Sequence, residues 1–296
     1  MAKRKYRRSI INKKKGKVSI QTLVIVALII GCIKLGQELS SRENNGGVTR
    51  TGIENAGDYG DLMAVKTNEK SVSVEKKYKG MDISFNPKYH IPNWVSWELT
   101  EEETKGDVNR TNKFSSDEDV AGCADTWDYN YSGYDRGHMA PAGDMKWDKD
   151  AMEETFLMTN ICPQVKSLNT GSWKRLEEKC RYWAEIMGSL YIVCGPIIDG
   201  EPIEYIGDSR VYVPKRFFKV ILSPYTNPAV GIGFIMPNGK VEGGMQACAV
   251  PIDSVEAVTG HDFFASLPDD IENDVESQCN FHYWSTLRKK KNKQVQ

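Results

Sequence analysis

The sequence predicts an α+β fold. Strand-like and helix-like segments follow one another without a regular β-α alternation, which argues against a doubly wound parallel sheet. One amphipathic helix stands out near the middle, and the apolar runs after it are rich in β-branched and aromatic residues and end at Gly or Pro. A chain of 296 residues can hold one large domain or two small ones, and neither repeats nor composition narrow that choice.

Folded sequence is expected over about 75–287. Tyr89–Leu99, with Pro92 and two tryptophans, reads as strand entering strand, and 100–120 is charged and turn-rich, a long surface loop. From Trp173 to Met187 the residues Trp173, Leu176, Cys180, Trp183 and Met187 recur at three- and four-residue steps, which makes an amphipathic helix. Leu190–Cys194 is β-rich and ends at Gly195-Pro196. Val211–Val213, Phe217–Leu222 and Val230–Met236 are further strands, with Pro224–Pro228 as a turn. Residues 252–267 suggest a helix or helical turn started by Asp253.

The net charge of −1 hides an asymmetry. Residues 1–17 carry nine basic side chains and no acid, and the tail 288–296 carries five more. Between them 25 basic side chains face 40 acidic ones, about −15 for 18–287. Such a field repels polyphosphate, so any nucleic-acid chemistry needs a local basic patch or a metal ion.

Val18–Ile33 is an uncharged apolar run of 16 residues, roughly 24 Å as a helix and a little short of a ~30 Å hydrocarbon core. With the basic flank before it, 1–17 should stay cytoplasmic and the remainder be exported. Segment 18–34 fits a transmembrane signal-anchor. It also fits a lipoprotein signal, because Ile29-Ile30-Gly31-Cys32 resembles a lipobox, and an organelle-targeting presequence is a third reading. Polar residues 35–74, with Asn-Asn-Gly-Gly, read as a spacer. The expected location is membrane-anchored with the folded domain outside the cytosol, in a bacterial periplasm or at the cell surface. Besides Cys32, the six cysteines 123, 162, 180, 194, 248 and 279 form an even set compatible with up to three disulfides or with free core thiols. None lies in a Cys-x-x-Cys pair, which speaks against a zinc ribbon.

The chemistry concentrates in Tyr134-Asp135-Arg136-Gly137-His138-Met139-Ala140-Pro141. A histidine suits general-base work and an adjacent guanidinium suits a phosphate, although a surface turn with an incidental histidine has the same letters. Two more blocks follow: Asn160-Ile161-Cys162-Pro163-Gln164, and Asn169-Thr170-Gly171-Ser172-Trp173-Lys174-Arg175-Leu176-Glu177.

Together, in this order and spacing, the three blocks resemble the DNA/RNA non-specific endonuclease family. A looser likeness runs from about 78 to 287 and includes Ile91-Pro92-Asn93-Trp94 and Thr259-Gly260-His261-Asp262-Phe263-Phe264. The resemblance implies a ββα-metal fold with a central antiparallel sheet flanked by helices. It implies His138 as general base and Asn169 as the direct protein ligand of a hydrated divalent ion, Mg²⁺ or else Mn²⁺ or another. Glu177 would hold a metal-bound water, Asn160 would orient the histidine or touch phosphate, and Arg136 would neutralise the scissile phosphate.

Arg110 is a candidate second phosphate-binding arginine, or else a solvated charge. Lys166, Lys174, Arg175 and Lys179 cluster around the later blocks and could supply the basic patch. Eight helical residues would put Asn169 and Glu177 roughly 12 Å apart, so both can serve one ion only if Asn169 precedes a helix start near Gly171. Asp135 is expected to brace the turn and Trp173 to be core.

The activity implied is hydrolysis of DNA and RNA to 5′-phosphate products through backbone contacts. Other readings are a nuclease-like domain that binds nucleic acid or protein without cutting, and a phosphodiesterase for small nucleotides. A protein inhibitor or a homodimer is compatible with the resemblance.

Overall fold

A computed structural model describes residues 59–289. Segments 1–17 and 18–34, most of the spacer 35–74, Cys32 and all but the first two residues of the tail 288–296 lie outside the described residues. Among the described residues no helix is long and apolar enough to cross a membrane.

The centre is a seven-stranded, wholly antiparallel sheet. Its strands are β1 (Val74–Lys77), β2 (Asp82–Asn86), β3 (Ile91–Thr100), β6 (Ser189–Ile197), β9 (Arg216–Ser223), β10 (Val230–Pro237) and β11 (Ala249–Val250), paired in that spatial order. Two further hairpin-like pairs stand apart from it: β4 (Asp135–His138) with β5 (Ile161–Gln164), and β7 (Tyr205–Ile206) with β8 (Val211–Tyr212).

Both faces of the central sheet are covered, which explains why Phe217–Leu222 is apolar without a break. Successive side chains of a strand point to opposite faces. Phe217 and Ile221 therefore share one core with Trp97, Ile192 and Phe234, while Phe218, Val220 and Leu222 share the other with Trp94 and Val193. The first core takes in α2 (Lys174–Met187) through Trp173, Leu176, Cys180 and Trp183. It also takes in Met139 and Ile161 beside β4 and β5. The second is covered by α3 (Ile252–Thr259) and α4 (Asp269–Glu276), with Phe263 and Phe264 between them. Helices α1 (Lys149–Glu154) and α5 (Phe281–Thr286) complete the set.

The amphipathic helix and the strands after it stand where the sequence puts them, to within a residue or two, except that β6 runs through Gly195-Pro196 to Ile197 instead of ending before them. Several expectations are corrected. The folded body begins before the expected spacer ends: Leu62 is buried against the second core, and Lys66 exchanges backbone hydrogen bonds with Asp262 at 2.9 and 3.0 Å. The helix expected over 252–267 stops at Thr259, where Gly260 takes a left-handed conformation, φ 69°, that an L side chain tolerates poorly. Residues 87–90 form a turn, so the expected strand starts at Ile91. The six described cysteines are free thiols, and the disulfide expectation is not met. Cys162, Cys180, Cys194 and Cys248 act as small apolar core side chains.

Candidate active site

In the extended strand β4, Arg136 and His138 face one side, while Asp135 and Gly137 face the other. Gly137 is required where it stands, because an added Cβ would come within 2.3 Å of the Gln164 side chain on β5. The 100–120 loop is mostly irregular, as its composition suggests, but it is pinned. Ser115 donates its N–H to the Phe156 carbonyl (3.2 Å) and accepts from the Met158 N–H (2.9 Å). That pinning sets Phe114 beside Phe156.

The two phenylalanines bracket the imidazole, with His138 ring-centroid distances of 5.4 Å to Phe114 and 5.0 Å to Phe156. Each also carries an arginine. The guanidinium of Arg136 lies 5.5 Å from the Phe114 centroid and that of Arg110 lies 4.9 Å from the Phe156 centroid. A base and two cations are thus held by the same pair of rings, and Arg110 joins the group despite its variable-looking loop. Arg136 is partly engaged already: its Nη2 donates to the Thr126 carbonyl at 2.7 Å and to Asn130 Oδ1 at 2.9 Å.

His138 is buried, and its Nε2 has no hydrogen-bond partner. Desolvation, with the charge of Arg110 behind it, lowers the imidazole from 6.5 to about 3, so the ring is neutral at neutral pH. A neutral imidazole is the form that accepts a proton. Nε2 is the nitrogen buried without a partner, which makes Nδ1 the candidate to take up a proton.

Asn160 does not reach outward. Its Oδ1 accepts the Ala140 N–H, and its Nδ2 donates to the carbonyls of Ala140 and Thr155, all at 2.9 Å. It is wholly buried, so phosphate contact is ruled out for it and the orienting role remains: it clamps the chain two residues beyond His138. Trp173 is core, as expected, and donates Nε1–H to the His138 carbonyl at 3.2 Å.

Asn169 lies in a π-helical turn, Leu168–Trp173, that Gly171 breaks with φ −107° and ψ −109° before α2 begins. The interruption falls where the sequence argument needs it if Asn169 and Glu177 are to share an ion. The Asn169 Nδ2 donates to Asp135 Oδ2 at 2.9 Å, leaving Oδ1 as an uncommitted, neutral, hard oxygen. Asp135 thereby braces Asn169 as well as its own turn.

Glu177 is half-buried in the first turn of α2 and makes no hydrogen bond or ion pair with a described residue. Burial raises its carboxyl from 4.5 to about 7, against the opposing charges of Lys219, Arg181 and Arg110. An uncommitted amide oxygen and an uncommitted carboxylate are a donor set that suits a hydrated hard cation.

Lys219 was not foreseen. It is fully buried on β9, its Nζ has no hydrogen-bond partner, and it sits between the rings of Trp97 (4.6 Å) and Trp173 (4.7 Å). Asp144, equally buried, accepts from Arg181 at 2.6 Å and from Trp97 Nε1 at 3.1 Å. The signal for Lys219 was a single lysine within Phe217-Phe218-Lys219-Val220-Ile221-Leu222. Phe114 and Phe156 gave none, because their role depends on a long-range pairing.

The basic patch divides. Lys166 is exposed, and its ammonium has no partner among the described residues. Lys174 is exposed and lies 3.9 Å from Glu178. Arg175 stands roughly 200° around α2 from Glu177. It donates to Ser172 Oγ at 2.9 Å and lines a shallow depression with Glu178, Lys179, Tyr182 and Met245. The structure therefore does not bring Arg175 or Lys179 to His138. Trp127, 75% exposed, stands beside the Thr126 carbonyl that holds Arg136.

Known proteins resemble this chain in sequence and in fold. The sequence model described as "DNA/RNA non-specific endonuclease" matches residues 58–270. The mitochondrial Nuclease EXOG of Mus musculus is 34% identical over 223 residues, 69% of this chain and 60% of its own length. This chain thus spans less than two thirds of that relative. The mitochondrial Endonuclease G of Bos taurus is 33% identical over 193 residues, 60% of this chain and 64% of that protein. A protein of Nostoc sp. named Nuclease is 29% identical over 280 residues, 90% of this chain and 98% of its own. Among solved structures, the crystal structure of the EndoG/EndoGI complex, titled for the mechanism of EndoG inhibition, matches with a TM-score of 0.63 and 27% identity, covering 74% of this chain and 94% of that one.

Proposed function

This chain belongs to the DNA/RNA non-specific endonuclease family, and on that premise we propose that it hydrolyses phosphodiester bonds of both DNA and RNA with one divalent ion, leaving 5′-phosphate and 3′-hydroxyl ends. The observation that carries the reading is His138 between Phe114 and Phe156, neutral, with Arg136 and Arg110 on the same two rings.

In this mechanism the Nδ1 of His138 takes a proton from a water as its oxygen attacks phosphorus, and the P–O3′ bond breaks opposite it. The leaving 3′ oxygen takes a proton from solvent. Charge growing on the non-bridging oxygens is met by Arg136 and Arg110, which are held on the two rings that bracket the base. Asn160 keeps the chain after His138 in place through its three hydrogen bonds. Asn169, turned by Asp135, would hold the ion through Oδ1, with Glu177 reaching it through water. When bound, the ion supplies Lewis-acid stabilisation of the charged transition state and of the departing oxygen. Mg²⁺ suits a neutral amide and water, and Mn²⁺ is an alternative.

Arginine and amide contacts recognise phosphate and not base edges, which supports indifference to sequence and sugar. Lys166 and Lys174 are left to extend the path of the backbone beyond the cleavage point. The test is nicking of plasmid and degradation of RNA by the full chain. Both should require Mg²⁺ and stop with EDTA, and cleavage of a small chromogenic phosphodiester alone would point to a nucleotide phosphodiesterase.

The solved complex pairs EndoG with EndoGI and concerns EndoG inhibition, and this chain is proposed to accept a protein inhibitor as well. A homodimer is a second assembly proposed for it. Segment 1–34 is proposed as a membrane tether holding the nuclease outside the cytosol. Mass spectrometry of the mature N-terminus separates a lipidated Cys32 from an intact anchor.

A further inference from the structure

Asp253, Glu256 and Glu276 each offer one carboxylate oxygen, and the three oxygens lie within 4.8 Å of one another. Asp253 and Glu256 stand three residues apart on one side of α3, and Glu276 is the last residue of α4. None of the three makes an ion pair with a described residue. The one internal bond is the Phe263 N–H to Glu256 Oε1, 2.8 Å. Two more carboxylates, Asp262 and Glu272, act on the cluster electrostatically, and the nearby Lys66 is already taken by Asp262 at 2.8 Å.

An acidic cluster at the surface needs no ligand, since water solvates it. Glu276 differs: it is only 5% exposed, and its Oε1 is buried with no hydrogen-bond donor. A desolvated carboxylate with neither donor nor counter-charge is costly, and two further acids beside it add to the cost. The group must take up either a proton or a cation. The protonated alternative is visible as the carboxyl of Glu276 rising to about 9 and that of Glu256 to about 7, from burial first and like charges second.

The spacing admits one divalent cation, since two oxygens bound to a single Ca²⁺ at roughly 2.3–2.6 Å are at most about 5 Å apart. Three carboxylates and a few waters make up the six to eight oxygens that calcium takes. We propose that Asp253, Glu256 and Glu276 form a calcium site that fastens α3 to α4. The site lies on the sheet face opposite His138, so it is structural and separate from the catalytic ion.

The test uses the full chain carrying Asn169→Ala, to disable the catalytic ion site, stripped with chelator and returned to calcium. With a Kd on the order of 0.1 mM, 5 mM Ca²⁺ should raise the Tm by about 4–8 °C. Calorimetric titration should find one Ca²⁺ per chain. Adding Glu276→Gln should leave the calcium-free Tm equal or higher, because a buried acid that must take up a proton to fold is gone, and should abolish both the rise and the titration. Asp253→Asn, at an exposed position that folding tolerates, should weaken binding at least tenfold. A parent protein whose Tm ignores calcium, or a Glu276→Gln protein that keeps the rise and the stoichiometry, overturns the site.

Discussion

The amide of Asn169 donates to the carboxylate of Asp135 across 2.9 Å, and that bond fixes the amide group while leaving its oxygen uncommitted. It also ties the turn before α2 to the strand that ends in His138. The candidate ion ligand and the candidate base are therefore positioned by one short strand. Asp135→Ala should raise the Mg²⁺ concentration for half-maximal cleavage about 10–100-fold, the usual cost of losing a group that orients a ligand. Asn169→Ala should lose activity that excess Mg²⁺ restores only in part. Mg²⁺ titration of cleavage rates checks both, and an unchanged Mg²⁺ dependence in Asp135→Ala would detach the strand from the ion.

The two arginines on the phenylalanine rings should matter where the arginine on the far side of α2 does not. Removing Arg110 or Arg136 takes away charge-assisted hydrogen bonds and should lower kcat/KM about 10–100-fold. Lysine should restore little, since it cannot bond two phosphate oxygens in the same plane. Arg175→Ala should stay within about twofold, as expected for a solvated surface charge. Steady-state kinetics on one oligonucleotide compares them, and equal losses at Arg110 and Arg175 would refute this placement.

Burial holds two imidazoles neutral, His138 with a pKa of about 3 and His261 of about 4. His261 also needs a free lone pair, because its Nδ1 accepts the Asn68 N–H at 3.0 Å. Both folded values lie below the unfolded 6.5, so unfolding takes up protons as the pH falls. The stability these residues contribute is complete above pH 6.5 and is lost progressively from there down to pH 3–4. NMR titration should find both rings unprotonated at pH 5.5. His261→Gln should flatten the decline of unfolding free energy between pH 6.5 and 4, and a midpoint near 6.5 for either ring would contradict the burial.

Lys219 is a cation without a hydrogen-bond partner between Trp97 and Trp173, and its charge opposes the rise of the Glu177 carboxyl. Lys219→Met keeps the volume and removes the charge, so the fold should be as stable or more so. The Glu177 carboxyl should then rise further and move the acid limb of the pH–rate profile upward. Denaturant unfolding and a kcat/KM profile read the two effects separately. A stable Lys219→Met protein with an unmoved profile would leave the lysine without a functional role.

Most of the site could be read from the sequence because its main parts are local. Asp135 to His138 is one strand, and Asn169, Gly171 and Glu177 are one turn and the helix after it, so spacing carries their relationship. What could not be read depends on distant pairing. Phe114 reaches His138 only because Ser115 bonds to Phe156 and Met158. Arg175 and Glu177 are neighbours in sequence yet face opposite ways on α2. The fold follows the same division: α2 and the long strands show their period, whereas β1 and β2 are short and half-polar, and the strap from Tyr59 is fixed by Asp262 and His261 nearly 200 residues away. The cysteines mislead because an even count says nothing of whether any two approach.

The central claim is that His138 is the base of a metal-dependent, sugar-indifferent phosphodiester hydrolysis, and single-turnover cleavage of matched DNA and RNA oligonucleotides in Mg²⁺ tests it most directly. Wild-type chain should cut both to 5′-phosphate ends, and His138→Ala, folded by circular dichroism, should cut both more slowly by about 10²–10⁴-fold. A His138→Ala protein that cleaves either substrate at the wild-type rate would contradict the account.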